Sequence, residues 1–345
     1  MTEQKNKSLA LVQNLNVFFE RILSNNPKTA AEEKFWNIVN QSVQPNPWFT
    51  QSEIKRALQA LVYMLEPEKA EKWLSRYSLP AKKPSKVAVI MPGNIPMAGF
   101  HDFLCVLVSG NIVLAKTSID DNELLPALAD VITEWDSYWE NRIRFIEAKP
   151  EGFDKVIATG SNNSARYFLY YFGKYPHIIR KNRNSVAVLD GNESGDELLG
   201  LCDDIFSYFG LGCRSISKLF VPEMWSPESL RAYVGKYDSL LMHSRYMNNY
   251  TYNKAIFEMH AYQITDMGNV LFLARTELVS PISVVYYEHY SSAEDLTQKL
   301  TPLSDSLQCI AGNIPDICNV GFGNCQLPEI YDYADGIDTM DFLLQ

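Results

Sequence analysis

Residues 203 to 221 read DIFSYFGLGCRSISKLFVP, and Cys213 stands there between Gly212 and a short run of polar residues. Gly210 and Gly212 suit a nucleophile that a substrate and a cofactor must approach closely, because a residue without Cβ lets other groups come near the backbone. An ordinary thiol, with a pKa near ~8.5, is a few per cent thiolate at neutral pH, and the thiolate is the attacking form. For a lone cysteine the better reading is an inert buried thiol. The other strand ends decide whether Cys213 is alone.

Three further loops carry groups that could bind or polarise a substrate. Pro92-Gly93-Asn94-Ile95-Pro96 follows the β-branched run Val87 to Ile90, with two prolines fixing the loop and Asn94 offering a neutral amide donor. Lys116, Thr117 and Ser118 end the run "NIVLAKTS" and could meet a ribose hydroxyl or a phosphate. Thr159-Gly160-Ser161 stands at a strand-to-helix turn, where backbone N–H groups attract anions such as a pyrophosphate. Each has a plainer reading: an Asn that satisfies its own turn, a surface lysine, ordinary capping by Ser. No G-x-G-x-x-G dinucleotide fingerprint follows these strands, since "GLGCRS" ends in Ser215 and follows no β-branched run.

The elements that must position these groups alternate. Apolar spacing predicts helices over 6–24, 29–42 and 52–77, the last with Ser52 as N-cap, so the first ~80 residues read as helical. From residue 87 the pattern changes to a strand, a helix closed by Gly110 and a second strand, which together make a βαβ crossover. A helix over 123–139, strands at 142–147 and 155–161, and a helix from 163 continue the alternation, and "SVAVLD", "SISKLFVP" and "PISVVYYEH" begin a second group of strands. This predicts an α/β fold with an open Rossmann-like parallel sheet, whose ligands lie outside the carboxyl ends of the strands.

Composition narrows the class. With 345 residues and 46% hydrophobic side chains, the chain can build two domains around a core. A formal charge of −10 argues against a nucleic-acid or anionic-membrane surface, although a local phosphate pocket stays open. The six cysteines form no C-x-x-C pair and are too scattered for a disulfide framework, and no histidine spacing suggests a metal site. The start lacks the design of a signal peptide, and the apolar zone 87–116 is broken by Pro92, Asn94, Pro96, His101 and Asp102. The expectation is a cytoplasmic protein without stable membrane insertion, its oligomeric state open, a homo-oligomer included.

In this order the motifs resemble the aldehyde dehydrogenase superfamily, and within it the long-chain acyl-CoA reductases that supply aldehyde to bacterial luciferases. "PGNIPMAGFHDFLCVLVSGNIVLAKTS" is similar to the superfamily's Asn loop and the lysine segment after it. "ATGSNNSAR" looks like its T-G-S turn, "GLGCRSISKLFVP" like its catalytic-cysteine segment, and Glu277 to Pro281 like its E-x-x-x-P ribose motif. The resemblance covers residues 85 to about 290, and "LPEIYDYADGID" is also like the reductases.

The resemblance implies NADPH-dependent reduction of an acyl-CoA, of fatty-acyl type, through an acyl-enzyme on Cys213 with Asn94 in the oxyanion hole. Pro92, Lys116, Thr117, Ser118, Thr159, Gly160, Ser161 and Glu277 would bind the cofactor. Ile119 stands where an acid would clamp an adenosine ribose diol, which favours NADPH, with NADH still open. The glutamate that activates water in many superfamily members has no counterpart, since the matching position falls near Ile179. That departure suits acyl exchange with a thiol carrier, CoA or a carrier protein. The expected division is a helical N-terminal segment, which no motif of the resemblance carries, with a cofactor domain over 1–185, a catalytic α/β domain over 186–325, and a tail over 326–345 whose return to the cofactor domain stays open. Other readings stay open: a CoA-acylating aldehyde dehydrogenase, an acyl-phosphate reductase, or a non-catalytic nucleotide- or thioester-binding homologue.

Overall fold

The computed structural model describes residues 3–41 and 44–345. The chain forms two compact units, one reaching to Asn182 and resuming from Leu327 to Gln345, the other spanning Arg183 to Gln326.

The first unit opens with helices α1 (Glu3–Leu23), α2 (Ala30–Asn40), α3 (Gln51–Met64) and α4 (Pro67–Ser75). The expected helix over 52–77 is two helices. Pro67 has no N–H to continue α3 but suits the first turn of α4. Thr50, not Ser52, is the N-cap of α3, accepting from the Glu53 N–H. The expected helix over 29–42 ends at Asn40, and Ser42 lies outside the described residues.

Then follow β1 (Lys86–Ile90), α5 (Phe100–Val108), β2 (Ile112–Lys116), α6 (Leu124–Trp135), β3 (Ile143–Phe145), β4 (Lys155–Thr159), α7 (Asn162–Phe172) and β5 (His177–Arg180). The strands form one all-parallel sheet in the order β3-β2-β1-β4-β5. The middles of β1, β2 and β4 are buried, as their Val, Ile and Ala runs require of a sheet covered on both faces. Helix α5 is apolar nearly all round and buried, and Gly110 (φ +84°) ends it where a Cβ would come within 2.9 Å of Pro80. The opening helices belong to this unit's core: Phe19 packs edge-on against Phe100 at 5.8 Å and Phe18 against Trp135 at 5.8 Å. Burial of each such ring favours folding by about 2–3 kcal/mol.

The second unit holds β6 (Asn184–Val188), α8 (Gly195–Phe206), β7 (Ile216–Pro222), α9 (Arg231–Val234), α10 (Ser244–Met259), β8 (Ile264–Asp266), β9 (Leu271–Ala274), β10 (Val284–Tyr290), α11 (Ala293–Leu300) and β11 (Leu307–Ala311). Its sheet runs β11-β6-β7-β10-β9-β8, antiparallel only between β8 and β9. The returning tail ends in α12 (Thr339–Leu344), back in the first unit. There Lys155 Nζ donates to the Phe342 carbonyl at 2.9 Å, and Arg180, itself paired with Asp102 at 2.5 Å, donates to Thr339 Oγ1 at 2.8 Å. No helix among the described residues is long and apolar enough to cross a membrane.

Candidate active site

In the first unit, Ile90 of β1 lies in register with Lys116 of β2 and with Ala158 of β4, so the carboxyl ends of these three strands are level. The loops with Asn94, with Thr117 and Ser118, and with Gly160 and Ser161 therefore leave one edge of the sheet. The direction of winding reverses between β1 and β4, and that crevice is where such sheets bind nucleotides.

Two of the loops touch. A Cβ on Gly93 would lie 2.5 Å from both Cβ and Oγ of Ser118, so only glycine allows this approach. Asn94 is exposed, Pro92 half-buried. Lys116 Nζ donates to the Glu147 carbonyl at 2.5 Å, and Ser118 Oγ accepts from the Asp120 N–H at 3.2 Å to start a 3-10 turn over Ile119–Asp121. Ile119 is 89% exposed, and the exposed carboxylate of Asp120 follows it. Thr159 closes β4, and a Cβ on Gly160 would meet Ser164 at 2.9 Å and the Phe168 ring at 3.0 Å. Ser161 caps α7 by accepting from the Ser164 N–H at 3.1 Å, and the remaining N–H groups of the first turn have no intrahelical partner. Hydroxyls, an ammonium group and a helix start on one level edge fit the sugar and phosphates of a dinucleotide.

In the second unit, Cys213 sits half-buried in a turn closed by the Ser215 N–H donating to the Gly212 carbonyl at 3.0 Å. Three successive residues before it are left-handed: Tyr208 (φ +53°), Phe209 (φ +58°) and Gly210 (φ +77°). For the two aromatics this conformation costs about 1–2 kcal/mol each, and such strain concentrates at functional sites. The turn is tied down on several sides. Ser185 Oγ donates to the Cys213 carbonyl at 2.8 Å, and the Cys309 N–H donates to that same hydroxyl at 3.1 Å. Arg214 Nη1 donates to Cys309 Sγ and to the Cys325 carbonyl, each at 3.2 Å. Asp204, fully buried, accepts from the N–H groups of Gly323 (2.7 Å) and Cys325 (3.0 Å), and burial pushes its carboxyl up to about 7.

The other cysteines are built differently. Burial pushes the Cys202 thiol up to about 12 and the Cys105 and Cys318 thiols upward as well. Cys309 is buried, and its sulfur accepts from Arg214. No disulfide joins any of the six.

The segment of Glu277 reaches the start of β7, just beyond the cysteine turn. Ser217 Oγ donates to the Leu278 carbonyl at 3.2 Å, and buried Lys218, paired with Glu288 at 2.6 Å, donates to the Thr276 carbonyl at 2.7 Å. Glu277 itself is exposed, 3.8 Å from Arg275. A cavity of about 30 Å³, lined among others by Phe209, Gly210, Ser217 and Pro281, lies between these segments. Ile179, near which the sequence resemblance placed the missing water-activating acid, is half-buried on β5 beside buried Arg180, which pairs with Asp102.

Sequence reasoning missed the supports of both loops. Nothing in "SYFG" signals left-handed Tyr and Phe, because both residue types disfavour it. Ser185 and Cys309 are too distant along the chain from Cys213 to be read as its partners.

A family model for acyl-CoA reductase (LuxC) matches residues 26–234. Among solved structures, the fold is similar to HpcC from Thermus thermophilus, with a TM-score of 0.62 and 13% identity over 92% of this chain and 71% of that one. It is similar also to indole-3-acetaldehyde dehydrogenase complexed with NAD+, with a TM-score of 0.64 and 14% identity over 92% and 74% of the two chains. Aldehyde dehydrogenase 21 from Physcomitrella patens, in complex with the reaction product succinate, covers 99% of this chain and 87% of its own at 11% identity and a TM-score of 0.63. At these identities the likeness shows the aldehyde dehydrogenase-like fold. No curated protein matches the chain. The family model spans more than half of the sequence, and the chain therefore belongs to the acyl-CoA reductase (LuxC) family, an oxidoreductase acting on the acyl or aldehyde group.

Proposed function

We propose that this protein reduces a fatty acyl-CoA to the aldehyde with NADPH, through an acyl-enzyme on Cys213. The observation that carries the reading is the cysteine turn, half-exposed, glycine-flanked and braced by Ser185 and Arg214 behind a strained left-handed segment. In this reading the first unit holds the cofactor and the second the nucleophile.

The Cys213 thiolate attacks the thioester carbonyl, the new C–S bond forms, and the CoA thiolate leaves, so one hard step becomes two easier ones. Asn94 donates to the carbonyl oxygen as it becomes an oxyanion, and the Cys213 N–H is the second donor. Ser185 fixes the Cys213 peptide by binding its carbonyl. Lys116, Thr117, Ser118, Gly160 and Ser161 hold the ribose and phosphates of a nicotinamide cofactor, with Pro92 and Thr159 shaping the walls and Glu277 on the nicotinamide ribose. Bound there, the cofactor supplies the hydride that brings the acyl carbon to the aldehyde level. The C–S bond to Cys213 then breaks, its electron pair returns to sulfur, and the aldehyde is free. Reduction of acyl-CoAs of graded length by the purified protein tests the reading. Aldehyde and free CoA in equal amounts support it, and absence of both for every chain length contradicts it.

Because the resemblance finds no carboxylate near Ile179 to match the water-activating acid, the acyl-enzyme is expected to resist hydrolysis. With aldehyde and oxidised cofactor but no CoA, acid should form at least ~10²-fold more slowly than thioester forms with CoA present, the scale of a missing general base. Rapid CoA-independent acid formation in a product assay would mean that another base serves.

NADPH preference rests on the absence of an acid at Ile119, with Thr117, Ser118 and Lys116 near the 2′-phosphate. The exposed carboxylate of Asp120 favours the second reading, NADH, since it would repel a 2′-phosphate and accept from a ribose diol. Fluorescence titration with both cofactors separates them, and clearly tighter NADH binding gives the second reading.

A further inference from the structure

Asp121 is buried where the 3-10 turn after β2 meets the loop after β1, and none of the roles above uses it. Its Oδ2 accepts from the Met97 N–H at 2.9 Å. Its Oδ1 is also buried and has no hydrogen-bond partner among the described residues. Burial pushes the carboxyl up to about 7. A buried acid with one hydrogen bond is an expensive way to fill space, and an apolar side chain would do that better.

What the carboxylate holds is specific. Met97 is left-handed (φ +59°), a conformation a non-glycine residue keeps only when its surroundings impose it. Met97 ends the stretch Pro92 to Met97 that contains Asn94, and its carbonyl accepts from the Phe100 N–H at 2.9 Å, at the start of α5. The other end of the stretch is locked where Gly93 packs on Ser118 and Asp120. The Asn94 loop is thus gripped twice by one short turn, through contact at Gly93 and through a hydrogen bond at Met97. That turn is itself braced by Asn46 Nδ2 donating to the Asp120 carbonyl at 3.3 Å.

We infer that Asp121 is a positioning residue, whose carboxylate holds the loop presenting Asn94 through the Met97 N–H. The inference rests on the reading of Asn94 as the oxyanion donor. Asp121 touches neither substrate nor cofactor in this role. Replacement of its acceptor oxygen should loosen the donor's aim without altering the donor.

The test is a cycle of variants assayed for kcat under conditions where chemistry limits the rate, with folding checked by circular dichroism and cofactor affinity by fluorescence. Asp121→Leu, similar in shape and without an acceptor, should lower kcat by roughly 10-fold or more while the cofactor Kd stays within about twofold. Asp121→Asn keeps an oxygen for the Met97 N–H and should stay within about threefold of wild type. Combined with Asn94→Ala, Asp121→Leu should add no further loss, because residues acting through one contact are not additive. A folded Asp121→Leu protein with wild-type kcat overturns the inference, and so do losses that multiply in the double variant. If Asn94→Ala alone keeps full turnover, the reading of Asn94 fails first and the inference with it. Should Asp121→Leu not fold, Asp121→Ser, too short to reach the Met97 N–H, carries the same comparison.

Discussion

Cys213→Ala is expected to abolish aldehyde formation from acyl-CoA, by roughly 10⁴-fold or more, the scale on which loss of a covalent nucleophile is felt. Cofactor affinity should stay near wild type, because the proposed ribose and phosphate contacts lie on the first unit's sheet edge and in the Glu277 segment. Stability should change little. The Cys213 side chain is half-exposed, and the ties of its turn run through its carbonyl, Arg214 and Ser215, which alanine preserves. Cys318→Ala is the control: that thiol is also half-buried but has no part in the proposed chemistry, and turnover should stay within about twofold. Steady-state assays with fluorescence binding check both. Substantial turnover in folded Cys213→Ala protein would move the nucleophile elsewhere.

Asn94→Ala should lower kcat on the order of 10²-fold, with little change in cofactor affinity. The amide is a donor to charge that exists only along the reaction path, so its loss falls on kcat and not on ground-state binding. The loop should survive the substitution. It is shaped by Pro92 and Pro96, by the contact of Gly93 with Ser118, and by the Met97 N–H on Asp121, all of which alanine at position 94 leaves in place. A folded variant with wild-type turnover, measured where chemistry limits the rate, would mean that Asn94 only shapes its turn.

The parallel sheet was legible in the sequence because strands buried on both faces need unbroken runs such as Val87–Ile90 and Ile112–Ala115, and turn residues end each run. The loops at the strand ends were legible for the same reason. The break at Pro67 was not, because Leu65, Ala70, Trp73 and Leu74 keep helical spacing across it and all are buried. Thr50 and Ser52 are both good caps by type, and only the fold chooses. Asp121 reads as a surface acid in "SIDDNE", beside the exposed Ile119 and Asp120. Its burial follows from the Asn94 loop and the 44–49 segment closing over the turn, which no local pattern announces. The bracing of Cys213 depends on side chains such as Arg214 and Cys309, 95 positions apart, and one sequence carries no record of such pairs.

The most direct measurement is the mass of the wild-type protein after mixing with an acyl-CoA in the absence of reductant, followed by digestion and then by addition of NADPH to a second aliquot. The expected result is one acyl group per chain, located on the peptide that contains Cys213 and discharged as free aldehyde when NADPH is added. An unmodified protein that nevertheless makes aldehyde under turnover, or an acyl group on any other residue that NADPH discharges as aldehyde, would contradict a Cys213 acyl-enzyme.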